Sequence, residues 1–288
     1  MADNNNFLDY ILKYSNKMNG WVDVKLLIKK VIESFALFIN STDKYTNVNY
    51  EIEFINERCL NVVSMFEVIS DIQEKGFSHK YKIDSKYYSP EYGLNIKEII
   101  SLPRSNLDNL IKTLELYLKI VTIDQNITPI PKIASINPDY VITFNYTDIY
   151  KKYEIDEEHV FYVHGKLDAV HNNMVLGFND EYPEVLDFIY FKKYYQVMQK
   201  NLEFIDESKF KTIYGNPDDS ENVIHFYGHS LDNTDGDLIR FLRTCAIKFV
   251  IYYYNDKDFE EKIVNLIAVF GKKFFNIEKI EYFNFQSC

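Results

Sequence analysis

Three short apolar runs, each stopping abruptly at polar residues, constrain what this chain can fold into more than any other feature. They are Val141-Ile-Thr-Phe-Asn-Tyr-Thr-Asp148, Val160-Phe-Tyr-Val-His-Gly165 and Val223-Ile-His-Phe-Tyr-Gly-His-Ser-Leu-Asp232. Runs rich in β-branched and aromatic residues, ended by turn formers, read as buried strands. Their ends carry Asn145 to Asp148, His164-Gly165 and Gly228 to Asp232. In an open α/β sheet, ligands bind just beyond the carboxyl ends of the strands. The three polar ends therefore predict one site, for a nucleotide-like ligand.

The pattern around these runs predicts strands at 139–144, 159–163, 173–177, 223–227, 248–254 and 279–284, with helices at about 184–206, 235–246 and 257–270. Strands alternating with helices imply an α/β core with a mostly parallel sheet. Residues 7–125 instead read as mainly helical. Val24, Leu27, Ile28, Val31, Ile32 and Phe35 recur at helical spacing, as do Leu107, Leu110, Ile111, Leu114 and Leu118 in a helix from about Ser105 to Ile123. A third helical segment is expected from about Tyr50 to Glu74, and a short hairpin between Gly76 and Gly93. Thr128-Pro129-Ile130-Pro131 reads as a linker, since proline disfavours both helix interior and central strand. The expected organisation is a helical region over 1–128 and an α/β core over 129–288.

With 288 residues and 47% hydrophobic content, the chain can bury a sizeable core in one large domain or two modest ones. Its net charge of −11 argues against nucleic acid as a partner. Cys59, Cys245 and Cys288 are far apart and form no metal-ligand pair, which fits a reducing cytoplasm. The start has no signal-peptide pattern, and no stretch reaches the apolar length of a membrane helix. His225 and His229 fall on a predicted strand and its turn rather than one helix face, so no metal site is expected. Glu157-Glu158, Asp218-Asp219 and Glu260-Glu261 read as solvated surface.

Each candidate residue has a chemical and a plain structural reading. Asn145, just after Thr143-Phe144, can bond a ligand hydroxyl or hold a water; it can equally form a turn or cap a helix. Asp148 can cap a helix starting at Ile149. His164 can serve as a general base near neutral pH or be a core histidine bonded to a backbone carbonyl. Gly165 allows close approach of backbone or ligand. Gly228, Ser230 and Asp232 can turn tightly and bond ribose hydroxyls, while Thr234 with Asp237 resembles a capping box. Lys192-Lys193-Tyr194-Tyr195-Gln196 reads as a solvated basic helix face or as one bearing a functional glutamine.

The order Phe144-Asn145-Tyr146-Thr147, Val163-His164-Gly165, Leu176-Gly177-Phe178, Phe191-Lys192-Lys193-Tyr194-Tyr195-Gln196 and Tyr227-Gly228-His229-Ser230-Leu231-Asp232, with Asp235 and Asp237, resembles the bacteriophage abortive-infection AbiH family. Trp21 with Asp23 matches a weaker feature near the start. The family in turn resembles sirtuin-like domains, which implies a Rossmann-like sheet and NAD as ligand. On that resemblance Asn145 and His164 are catalytic. Asn145 would position the nicotinamide ribose or a water, and His164 would act as base. Thr143, Gly165, Gly228, His229, Ser230 and Asp232 would bind the cofactor, with Gly228, Ser230 and Asp232 on the adenosine side.

The resemblance implies a cytoplasmic phage-defence protein that hydrolyses NAD or another nucleotide, answers a phage or host trigger protein, and forms an oligomer. The other reading is a non-enzymatic defence or interaction protein that keeps the fold. One departure bears on this choice. AbiH-type chains usually open with a strand and a Gly-Asn-Gly-Phe-Asp-like loop, whereas this one starts Asn4-Asn5-Asn6-Phe7-Leu8, already helical in pattern. The expectation is a first strand and phosphate-binding loop missing from the sheet, with NAD bound weakly or not at all and marginal solubility.

Overall fold

A computed structural model describes residues 5–15, 24–45, 51–52, 56–72, 80–122, 128–167, 171–178, 186–202, 222–271 and 280–284. Trp21, Asp23, Gly76, Asp218-Asp219 and Cys288 lie outside these residues. The chain divides into two units, Met1–Asp124 with Leu167–Asn201, and Gln125–Lys166 with Leu202–Cys288.

The first unit is built on helices α1 (Asn6–Ser15), α2 (Val24–Tyr45), α3 (Glu57–Met65) and α4 (Ile96–Thr122). α1, α2 and the end of α3 meet around Phe66, whose ring stands edge-on to Phe7 at 5.6 Å and to Phe35 at 5.1 Å. The start of α1 is fastened by Asn5, which accepts from the Leu8 amide at 3.0 Å and donates to the Asn106 carbonyl at 2.9 Å. α4 starts well before the expected Ser105 and runs through Pro103. A proline removes one helical hydrogen bond. Here Ile99, Ile100, Pro103, Leu107, Leu110 and Ile111 form one buried face, so tertiary packing outweighs that local cost.

The helix expected from Tyr50 to Glu74 is confined to α3. Glu67 takes a left-handed φ of 60°, and the Val68 amide closes the turn on the Val63 carbonyl. The β-branched residues beyond pair as a strand. β1 (Glu51–Ile52), β2 (Ile69–Ile72) and β3 (Lys80–Ile83) form an antiparallel sheet in the order β1-β3-β2. β4 (Tyr88–Ser89) and β5 (Gly93–Leu94) form the short hairpin anticipated near Gly93.

Two expectations for residues 173–206 are corrected. Residues 173–177 are extended but join no strand ladder; Phe178 alone bridges Lys192. The reason is a side chain. Gln196, on the short helix α5 (Lys193–Gln199), accepts from the Leu176 amide at 3.0 Å and donates to the Tyr190 carbonyl at 3.2 Å. Over the described part of the predicted helix 184–206, residues 186–202, the chain forms a 3-10 helix, Leu186–Phe191, followed by α5. Nor is this a solvated basic face. Lys192, Lys193 and Gln196 are all buried, and the Lys192 ammonium lies 4.7 Å from the Phe178 ring centre. Gly177 is required by close approach, since a Cβ there would stand 2.8 Å from the Phe191 carbonyl oxygen.

The second unit holds the parallel strand ladders among the described residues. β6 (Val141–Thr143) pairs with β7 (Val160–Tyr162), and β8 (Val223–Phe226), β9 (Lys248–Tyr253) and β10 (Ile280–Asn284) pair in the order β10-β9-β8. Helices α6 (Gly236–Thr244) and α7 (Asp256–Phe270) separate β8 from β9 and β9 from the segment leading to β10. This is a mixed α/β arrangement with parallel strands. Among the described residues, however, no ladder joins β6 to β8, so the expected single sheet is two hydrogen-bonded sets. They share a core. Ile142 of β6 and Ile224 of β8 pack on the cluster of Phe226, Leu231, Ile239, Leu242, Phe249 and Leu266. Pro131 opens a one-turn helix, Pro131–Ala134, where the linker was expected; a proline lacking its N–H suits that first position.

Replacing Gln196 by Leu should lower the unfolding midpoint in urea by an amount equivalent to about 1–3 kcal/mol, because the Leu176 N–H and Tyr190 C=O would be left buried and unpaired. An unchanged midpoint would show that these backbone groups find other partners.

Candidate functional site

The carboxyl ends of β6 and β7 are fixed by side chains. The ladder continues one bond past β7, with the Val163 amide donating to the Thr143 carbonyl at 3.0 Å. β6 then stops, one residue earlier than predicted. The Asn145 amide turns back onto the Thr143 hydroxyl at 3.1 Å, and the Phe144 carbonyl faces His164 Nδ1 at 3.2 Å. Gly165 follows with a φ of 81°, a conformation natural to glycine alone.

His164 is 2% exposed, and its second nitrogen, Nε2, lies 3.0 Å from Asp235 Oδ1. Asp235 is 5% exposed, and its other oxygen lies 3.5 Å from His229 Nε2. One buried carboxylate is thus shared by two imidazoles. The partners fix the protons. His229 Nδ1 accepts from the Leu231 amide at 2.8 Å, so the ring's proton sits on Nε2, facing Asp235. Both nitrogens of His164 face oxygen acceptors. Nδ1 must donate to the Phe144 carbonyl, and a second proton lies between Nε2 and Asp235 Oδ1, as an imidazolium–carboxylate pair or its neutral equivalent. Tyr146 borders the same carboxylate. Burial pushes its hydroxyl well above the ordinary tyrosine range, and the Asp235 charge pushes it further.

The turn after β8 is fastened from α7. Lys262, 4% exposed, donates to the His229 carbonyl at 2.9 Å and pairs with Asp258 at 2.8 Å. One helical turn on, Asn265 Nδ2 donates to the Ser230 carbonyl at 2.8 Å. Gly228 has a φ of 65° with open space around it, so backbone conformation and not crowding calls for glycine there. Leu231 takes a φ of 58° and is fully buried in the core beneath. The His229 ring lies against Phe144, their centres 4.0 Å apart, which joins this turn to the end of β6.

The structure therefore brings His164 and His229 together through Asp235, with Phe144 between them. Asn145 and Ser230 are exposed beside this network; the Ser230 hydroxyl accepts from the Asp232 amide at 3.4 Å. Thr143 is buried and engaged by the Asn145 amide. Asp232 Oδ1 accepts from the Thr234 amide at 2.8 Å and so caps the 3-10 helix Asn233–Asp235. Capping thus falls to Asp232 and not to the expected Thr234 box; Asp237 pairs with Arg240. Asp148 precedes a 3-10 helix, Ile149–Tyr153, without capping it. Partial burial pushes its carboxyl up, but hydrogen bonds from Lys151 and Tyr162 outweigh that and hold it below the ordinary carboxylate range.

Asp235, Lys262 and Asn265 carry structural roles that the sequence reading did not assign. Asp235 had a signal: it falls just past a strand end where Asn233-Thr234-Asp235-Gly236-Asp237 offers more polar groups than one helix start uses. Lys262 and Asn265 had none, being ordinary polar positions of an amphipathic helix. His225 bonds the Tyr252 hydroxyl at 3.0 Å and takes no part. Asp156, Glu158 and His159 place ligand atoms within 4.8 Å of one another, but all three stand toward solvent, where such groups commonly hold no ion.

The family model of bacteriophage abortive infection AbiH matches residues 2–253, and the chain belongs to that family. Membership gives it a role in abortive-infection defence against phage. The match spans β6, β7, β8 and the Asp235 network. No curated protein and no solved structure matches the chain. No helix among the described residues is long and apolar enough to cross a membrane.

Replacing Lys262 by Met should cost about 1–3 kcal/mol in chemical unfolding, because the His229 carbonyl loses its buried donor. Amide exchange at Leu231 should quicken in step; an unchanged exchange rate would show that α7 does not hold the turn.

Proposed function

We propose that this AbiH-family chain is a cytoplasmic effector that hydrolyses NAD or a related nucleotide at the carboxyl ends of β6, β7 and β8, on a Rossmann-like, sirtuin-like second unit. The supporting observation is the buried Asp235 carboxylate held between His164 and His229 at those strand ends. Titratable groups that share protons in a buried cluster are frequent at functional sites. Beside them, Asn145 and Ser230 are exposed and face a ligand. Asn145 holds the nicotinamide ribose or a water, and His164 with Asp235 supplies the acid–base network. Thr143, Gly165, Gly228, His229, Ser230 and Asp232 border the nucleotide. A phage or host protein triggers the activity, and the active form is an oligomer.

A non-enzymatic defence protein is the second reading, favoured by one observation. His164 is almost fully buried with both nitrogens engaged, as a purely structural histidine would be. Incubating the purified chain with NAD and following nicotinamide release separates the two. The enzymatic reading expects release that falls about 10²–10⁴-fold in Asn145→Ala and His164→Ala, the usual cost of losing part of an acid–base network. No release by the unaltered chain, with or without phage lysate as trigger, would leave the non-enzymatic reading.

A further inference from the structure

We propose that the purine base of the nucleotide stacks on the ring of Tyr227, an aromatic platform at the carboxyl end of β8 beside the turn from Gly228 to Asp232. The inference rests on the nucleotide reading above and names where the base lies. It starts from the alternation of β8. Ile224 and Phe226 face the core of the second unit. Val223, His225 and Tyr227 fall on the opposite face by strand periodicity, and all three are exposed, Tyr227 by 44%. The neighbouring strand differs. Val250, paired with His225, and Tyr252, whose ring meets that of Tyr227, are both buried. The cover over this face of β9 therefore does not extend over β8, and Tyr227 is the last aromatic residue before the turn.

The ring is held in place. Its centre lies 6.5 Å from that of Tyr252, in a T-shaped contact at 74°. Tyr252 is itself fixed by His225, whose Nδ1 lies 3.0 Å from the Tyr252 hydroxyl and whose ring stacks on Tyr252 at 5.9 Å. Partial burial pushes the Tyr227 hydroxyl up, and Tyr153, from the 3-10 helix after β6, pushes it further, so the platform is a neutral phenol. Beyond the ring the chain leaves room. The next residue is Gly228, and a Cβ built there would meet no atom within 4 Å.

The surroundings select an uncharged planar group over a phosphate. Asp232 stands on the turn and Asp235 is buried just behind it, while Lys262 beneath the turn is already paired with Asp258. An anion would be repelled there; a neutral base is not. Every base has a π face, so an aromatic side chain holds it without needing a matching set of hydrogen-bond partners. Ser230, exposed three residues on, lies on the side of the site where the sugar of that base would follow. With the nicotinamide end at Asn145 and His164, the purine end falls to Tyr227.

The test titrates the full chain with etheno-AMP, a fluorescent purine nucleotide whose emission is quenched by stacking, and with nicotinamide mononucleotide, which has no purine. Tyr227→Leu, which keeps apolar bulk but no π face, should weaken etheno-AMP binding about 5–150-fold, the usual loss when the platform for one base is removed. Tyr227→Phe should bind as the unaltered chain does, and Tyr227→Trp, with a wider face, should bind more tightly. None of the three should change the affinity for nicotinamide mononucleotide. No binding of etheno-AMP by the unaltered chain, equal binding by Tyr227→Leu, or a loss in Tyr227→Phe as large as in Tyr227→Leu would overturn the platform. Nicotinamide release is followed separately. Its absence beside Tyr227-dependent binding of etheno-AMP would sink the hydrolytic reading and keep the base site. Release from NAD with a KM unmoved by Tyr227→Leu would sink the base site and keep hydrolysis.

Discussion

The Asp235 carboxylate is the interaction on which the rest of the second unit depends. A buried carboxylate is costly unless it is paired and hydrogen-bonded. Here its two oxygens face His164 at 3.0 Å and His229 at 3.5 Å. Those residues come from the end of β7 and the turn after β8, and Asp235 itself stands just before α6. It occupies the N-cap position of that helix, yet its side chain makes no capping bond there. The carboxylate is directed instead at the two imidazoles, while the helix dipole still favours a negative charge at that end. One side chain therefore ties together three pieces of chain that share no strand ladder.

The ladders alone would not do this. β6 and β7 are three residues each and pair only with one another among the described residues. What aligns them with β8 is the shared core under Ile142 and Ile224, capped above by Phe144 lying on His229. From the far side, α7 grips consecutive carbonyls of the turn through Lys262 and Asn265. The turn is thus held by its carbonyls from below and by the His229 ring from above. This leaves the side chain of Ser230 outward, and Asn145 outward on the neighbouring strand end. The arrangement sets exposed polar side chains over a buried, hydrogen-bonded floor.

Much of this was legible in the sequence. The apolar runs at 141, 160, 223, 248 and 280 are strands in parallel pairing, with the 248 run mostly buried and the runs at 141, 160 and 223 only partly so. Among the polar residues that end them, His164 and His229 are the two that meet at the Asp235 carboxylate. What was not legible has physical causes. The run 173–177 has strand composition, but Gln196 takes the hydrogen bond a neighbouring strand would need. Pro103 looks like a boundary, but a continuous buried face carries α4 through it. Lys192 and Lys193 look solvated, and no local pattern reveals that their segment packs with the helices of the first unit. Asp235 lay unassigned beside the Thr234 and Asp237 capping pattern, because local spacing cannot show a histidine 71 residues away.

The most direct test is a double-mutant cycle on His164 and Asp235, read by chemical unfolding of the full chain. If the carboxylate is the tie described here, Asp235→Ala and His164→Ala should each cost about 3–5 kcal/mol, as expected when one partner of a buried pair is removed. The double variant should then cost less than the two single costs added together, by a coupling near the upper end of about 0.5–3 kcal/mol. Costs that simply add, with no coupling, would show that the two side chains stabilise the unit independently and that Asp235 does not hold the strand ends together.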